Sequence, residues 1–325
     1  MHLKKLKSAI NSVWKKIALF GWFIPVSHLF LILLGRYIPK RLSVRLMDKR
    51  NWAISNYLQS GFDFHCRSAC NHLDKVEEYS SFNAPIWFCW LQGEENLSEI
   101  PALCLASIRR NSGNHPVVVL SMDNIAKYVE LPLSVLKLYQ RGGLKPAHFA
   151  DILRVNLLAQ RGGLWLDATL LLTRKIDESF FTNGFYTIKV KPFGNYISQC
   201  RWSVFCLASH PGNLLFTELS RLFNEYLSQH TEFIDYFLFD HFINLLYMNN
   251  ESIRIMIDRV PVNNPQVHSL SRLLCDDFDD IIYKSMLCDT QLFKLSSRKY
   301  KKEQLHANSR SYHAHLLHIF GSPCK

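Results

Sequence analysis

Apolar residues along this chain fall into two kinds of run. Short unbroken blocks bounded by turn residues alternate with longer stretches in which apolar positions recur every three or four residues. The blocks are residues 84–90 (APIWFCW), 116–120 (PVVVL) and the run beginning at Leu164 (LWL). A block without polar alternation is covered on both faces, as strands of a parallel sheet are. Helical spacing predicts elements over 101–110, after Met122-Asp123-Asn124, and over 146–160. Strand–helix–strand–helix–strand order predicts an α/β fold, a largely parallel sheet flanked by helices. Beyond it lie shorter strand-like pieces at 185–190 and 202–207, a helical pattern over 213–249 and a mixed tail after Pro261 with acids at Asp276, Asp277, Asp279 and Asp280. The simplest division is a basic, apolar segment 1–50, a helical connector 51–83 (its helix about 52–79) and one α/β domain 84–325.

The formal charge of +11 changes this picture only at one end. Residues 1–50 hold eleven Lys/Arg against the single acid Asp48, so the remaining 275 residues carry a net of only +1. A basic body would point to nucleic acid; a basic tail on a nearly neutral body argues against it. Within that tail residues 17–35 are uncharged. As a helix they would reach about 28 Å, near the ~30 Å of a bilayer's hydrocarbon core. Pro25, Ser27 and His28 interrupt the run, and positive charge on both sides gives no clear orientation. A bent or re-entrant helix pair held on a membrane surface by its basic flanks fits better than a clean span.

The nine cysteines are odd in number, scattered and often inside apolar runs, which suggests reduced, small-hydrophobe use. His65, Cys66, Cys70 and His72 match no standard zinc spacing. The most informative stretch is 146–173, PAHFADILRVNLLAQRGGLWLDATLLLT. Asp151 and Arg154 are three apart and share a helix face. After the Gly162-Gly163 turn a buried strand ends on Asp167, where a carboxylate is costly unless bound to something. Two acids and an arginine brought towards one point suggest a site for a metal-bound phosphate. The bland alternative for Asp151 and Arg154, an isolated ion pair worth ~0.2–0.5 kcal/mol, does not account for the neighbouring Asp167.

Pro85-Ile86-Trp87 through Trp90, Ala150-Asp151-Ile152-Leu153-Arg154, and Gly162-Gly163-Leu164-Trp165-Leu166-Asp167-Ala168-Thr169 resemble the capsular polysaccharide synthesis proteins. Gly93-Glu94-Glu95-Asn96, Asp235-Tyr236-Phe237 and Lys294-Leu295 add to that resemblance. That family is similar to glycosyltransferases with a DxD sugar-binding motif, among them yeast mannosyltransferases and clostridial glucosylating toxins. The resemblance implies a GT-A-like nucleotide-sugar-binding domain and a retaining transfer of sugar from a nucleotide-diphosphate donor to a polysaccharide or lipid-linked glycan. It implies that Trp90 stacks on the base, that Asp151 and Arg154 hold the donor sugar, and that Lys294 clamps the diphosphate, with Arg298 and Lys299 weaker candidates. Trp87 reads better as a core aromatic. Asp167 takes the place of the first acid of DxD and, with Thr169, is the candidate ligand of a Mn²⁺ or Mg²⁺ ion. Thr169 departs from the acidic third position and offers one neutral oxygen. Asp235, Asp240 and His241, read as lying on an apolar helix, are candidates for lining the cleft, and Asp240 and His241 for catalysis at the acceptor. His306, His313, His315 and His318 suggest a metal by count alone. The expected setting is the cytoplasmic side of a bacterial inner membrane. The rival readings are a non-catalytic sugar- or nucleotide-binding protein and a cell-envelope sugar-phosphate transferase.

Overall fold

The apolar blocks become strands of one sheet. The computed structural model describes residues 13–64, 83–194 and 196–321. Its strands are β1 (Ile86–Cys89), β2 (Val117–Leu120), β3 (Gly163–Leu166), β4 (Leu170–Leu172), β5 (Phe185–Thr187), β6 (Cys206–Ser209) and β7 (Leu292–Lys294). Five of them form a sheet in the order β2-β1-β3-β6-β5, and β4 pairs with β7 apart from it. β1 is parallel to both β2 and β3, whereas β6 runs antiparallel to β3 and β5. Four of the five strands therefore point the same way.

The longer helices are α1 (Phe23–Leu34), α2 (Lys40–Gly61), α3 (Glu99–Asn111), α4 (Leu133–Gln140), α5 (Pro146–Arg161), α6 (Leu214–Gln229), α7 (Leu238–Asn249), α8 (Glu251–Asp258), α9 (Asp280–Asp289) and α10 (Tyr312–Phe320). Successive strand residues face opposite sides. Trp87 and Trp165 accordingly join a core with Phe149 and Leu153 of α5 and with residues of α6 and α7. Ile86, Phe88, Leu164 and Leu166 join the opposite core with Leu105 and Ile108 of α3. Two covered faces explain why these blocks read as unbroken apolar runs.

Gly162 and Gly163 let α5 turn directly into β3. Their φ values are +64° and +91°, a region that side chains with a Cβ rarely adopt. A Cβ on Gly163 would lie 2.4 Å from the Pro85 carbonyl oxygen, and one on Gly162 would lie 2.6 Å from that of Ser209. Trp87 closes the turn by donating its indole N–H to the Gly162 carbonyl at 2.7 Å, which is the core role expected of it.

Several expected elements shift. The strand expected over 202–207 occupies Cys206–Ser209. Upstream of it, Ser203 donates its N–H to Thr187 Oγ1 and Cys206 donates to the Ser203 carbonyl, a turn that takes the chain out of the ladder. The helical pattern over 213–249 divides into α6 and α7, so Asp235 lies in the intervening loop and not on an apolar helix. The helix expected from Trp52 begins at Lys40 and ends at Gly61, running unbroken across position 50. The remainder of that segment, with His65, Cys66, Cys70 and His72, lies outside the described residues. The apolar N-terminal run bends at Gly21, whose φ is +75°, and not at Pro25, between a helical stretch 13–20 and α1. Among the described residues no helix is long and apolar enough to cross a membrane.

Candidate functional site

Chain topology places a cleft where the strand order reverses. From β1 the chain crosses to β2 on one side and returns to β3 on the other. Ligands of open α/β sheets bind outside the carboxyl ends of strands at such a switch point. A cavity of about 410 Å³ opens there, walled by Cys89 and Trp90 after β1, Asp167, Ala168 and Thr169 after β3, and Asp151 and Arg154 of α5. Tyr236 and Phe237 just before α7, Phe239 and Asp240 in its first turn, and Arg298 beyond β7 complete the wall. Its size falls in the range of small-molecule sites.

Asp167 is the charge centre of the cavity. Two residues back on the same face of β3, Trp165 donates its indole N–H to Asp167 Oδ1 at 2.9 Å. Arg154 Nη2 approaches the same oxygen at 3.2 Å, and Lys294 Nζ donates to Oδ2 at 2.9 Å. Lys294 reaches it because β7 pairs with β4 in the register Leu170↔Lys294. Burial alone would raise the Asp167 pKa, but Lys294 and Arg154 outweigh it and hold the carboxyl below its ordinary value.

Arg154 is buried and fixed from several sides. Nη1 donates to the Val204 carbonyl, Nη2 sits 3.4 Å from Asp151 Oδ1, and the guanidinium lies 4.8 Å from the Trp165 ring centre. Its Nε has no hydrogen-bond partner among the described residues. Asp151 has a different balance. Burial pushes its pKa up to about 7, Arg154 opposes the rise, and Asp167 and Asp240 add to it. Asp240 is also raised by burial, against the hydrogen bond its Oδ1 accepts from the Trp202 indole at 2.9 Å. The cavity thus holds one carboxylate clamped in its ionised form and two whose charge is resisted.

The structure brings Trp90, Asp151, Arg154, Asp167, Thr169 and Asp240 together around the cavity, with Lys294 behind Asp167. Trp90 is half-buried and donates its indole N–H to the Asn96 carbonyl at 3.1 Å. Asp235 and His241 are placed elsewhere. Asp235 is buried in a two-pronged ion pair with Arg50 of α2, at 2.8 and 3.4 Å, and His241 Nε2 lies 3.5 Å from its Oδ2. The two form a structural cluster beneath the cleft and do not line it. Lys299 also turns away and donates to the Ser271 carbonyl, whereas Arg298 lines the cavity.

As arranged, Asp167 and Thr169 do not fit a divalent cation. Both carboxylate oxygens of Asp167 are occupied by cationic donors, and two positive charges beside it oppose a third. Among the described residues no group of three or more His, Cys, Asp or Glu is placed to hold a metal. His306 and His313 instead face Glu99, at 2.8 and 3.0 Å, on a different part of the molecule. Arg154, Lys294 and Arg298 gather cationic charge around the cavity, which suits an anionic ligand.

The cavity residues lie within a segment that matches a known family. A family model of capsular polysaccharide synthesis proteins matches residues 36–316. The chain belongs to that family. Its role accordingly falls within capsule biosynthesis. No curated protein matches the chain.

Some site residues gave little signal in sequence. Trp202 and Val204 lie in an irregular stretch, and their contacts to Asp240 and Arg154 depend on how β6 returns to the sheet. Arg50 looked like one more basic residue of the tail, yet it is the buried partner of Asp235. Tyr236 and Phe237 were legible only as part of a motif; their exposure on the cavity wall is a property of the fold.

Proposed function

We propose that this capsule-synthesis protein is a glycosyltransferase that uses a nucleotide-diphosphate sugar, with a GT-A-like use of the sheet. The observation that carries the reading is the meeting of Asp151, Arg154 and Asp167 at the switch point between β1 and β3. In this reading the base stacks on Trp90, a contact that tolerates any base because every base has a π-face. The diphosphate lies near Arg154, Lys294 and Arg298, whose charge meets the negative charge that grows on the leaving group. Asp151 accepts hydrogen bonds from sugar hydroxyls, with Arg154 as its planar counterpart.

The acceptor enters past Tyr236 and Phe237. Its oxygen forms the new bond to the anomeric carbon as the carbon–oxygen bond to the diphosphate breaks, and Asp240 takes the hydroxyl proton. A carboxyl with a raised pKa accepts that proton more readily than an ordinary one. Retention of anomeric configuration follows from the family resemblance and is read by NMR of the product.

The donor set around Asp167 leads us to assign charge neutralisation to the protein's own cations and not to a Mn²⁺ or Mg²⁺ ion. The reaction class is tested by incubating donors labelled in the sugar or in the β-phosphate with acceptor-bearing membranes. Sugar label appearing in glycan together with free nucleoside diphosphate is the expected result. Phosphate label entering the glycan would instead indicate a sugar-phosphate transferase. Saturable donor binding with neither label transferred would indicate a binding protein.

A further inference from the structure

The N-terminal helices carry an apolar surface that the other described residues leave uncovered. The helical stretch 13–20 is anchored from within: Phe20 is buried against Tyr57 and His230, with ring centres 5.4 and 5.5 Å away, and Tyr57 donates its hydroxyl to the Leu19 carbonyl. α1 buries Ile24 and Pro25. Its other sides, with Trp22 just before it, expose Leu29, Phe30, Ile32, Leu33 and Leu34. Trp22 is 67% and Ile32 63% exposed, on a helix without a charged residue. An apolar helix face of this kind in water marks a docking surface.

The charges beside it select the occupant. Lys15 on one side and Arg36, Lys40 and Arg41 on the other are all exposed, and the only acid among residues 1–50 is Asp48. A second copy docked face to face would bring these cations together. An anionic bilayer pairs them with phosphates while the apolar side chains enter the acyl boundary. We propose that residues 13–41 form a monotopic docking surface for anionic lipid bilayers. The family match begins at residue 36, so most of this surface lies outside it.

The same helices adjoin the cleft. Lys16 is partly buried, which lowers its pKa, and the charges it feels are Glu232, Asp235, Lys145 and Arg50. Lys145 immediately precedes α5, and Asp235 immediately precedes the exposed rim residues Tyr236 and Phe237. Docking therefore sets the aromatic rim beside the lipid surface. Given the transferase reading, the acceptor would be a glycan on a lipid carrier, presented at the membrane boundary; the docking itself does not depend on that reading.

The test uses the full chain and vesicles of phosphatidylcholine alone or with about 30 mol% phosphatidylglycerol. Wild type is expected to sediment with the anionic vesicles, with peptides covering 22–37 and the 236–237 rim becoming protected from hydrogen exchange. Ile32→Glu/Leu33→Glu should weaken partition on the order of tenfold or more, and Arg36→Gln/Arg41→Gln should weaken it and flatten its salt dependence. Ile281→Glu, at an exposed apolar position on α9, is the control and should bind as wild type does. Binding unchanged by the Ile32/Leu33 pair would overturn the proposal. So would a concentration-dependent dimer that this pair dissociates, since the occupant would then be a second copy. Protection at 22–37 without protection of the rim would refute the placement of the cleft. Donor turnover by the same variants without vesicles is read separately, so failure of docking and failure of the transferase reading are distinguishable.

Discussion

Asp151 and Asp167 are two carboxylates on one cavity wall that the fold treats in opposite ways. Asp167 is held ionised by Lys294 and Arg154, whereas burial brings Asp151 to titrate at about 7. An acid raised on folding binds its proton in the folded state first. Stability therefore falls as the pH rises between the ordinary 3.8 and about 7. Asp151→Asn should abolish that dependence and raise the melting temperature at pH 8 relative to wild type, read by thermal melts across pH. If the carboxylate form binds sugar hydroxyls, kcat/KM of wild type climbs through pH 7, and this limb disappears in Asp151→Asn. The i,i+3 spacing of Asp151 and Arg154 and the strand-end Asp167 made this half of the site legible in sequence, because local periodicity alone fixes which way those residues point. Lys294 was legible only by resemblance, since its reach to Asp167 depends on the β4–β7 pairing of strands distant in the chain. His241 was misplaced because neighbouring residues on a helix face different directions: Asp240 points into the cleft and His241 points beneath it.

The α5–Gly-Gly–β3 unit fixes where those side chains stand. Gly163→Ala would place a methyl 2.4 Å from the Pro85 carbonyl at a positive φ. It should cost about 2 kcal/mol or more in chemical denaturation and lower donor turnover with it, because Trp87 and Asp167 are both referenced to that turn. The strands β1, β2 and β3 and the helices α3 and α5 were readable because each carries its own period and both sheet faces are covered. The stretch around 198–205 and the division of α6 from α7 were not, because side chains made those breaks. Tyr226 accepts no such role from sequence, yet its hydroxyl receives the Ile234 N–H at 2.8 Å and shapes the loop that presents Asp235.

The N-terminal helices share a hydrophobic core with the body of the molecule, through Ile54, Leu58 and Phe62 among others, and a buried ion pair adds to it. Arg50 belongs to the basic tail by composition and to a buried ion pair with Asp235 by structure. Arg50→Met should destabilise the protein by roughly 3–5 kcal/mol, since Asp235 would be left buried without its two-pronged partner; equilibrium urea unfolding reads this. The charge count marks residues 1–50 as basic but does not reveal that one of those arginines is spent inside. The cavity between β1 and β3 is the proposed place where a nucleotide sugar is bound and cleaved. It is tested most directly by measuring nucleoside diphosphate release from a panel of nucleotide sugars, in EDTA and in Mn²⁺, for wild type, Asp167→Ala and Lys294→Met. Wild type should turn over one donor with EDTA present, and each variant should lose on the order of a hundredfold. Turnover that both variants retain would contradict the site, and turnover that EDTA abolishes would return the divalent cation to Asp167.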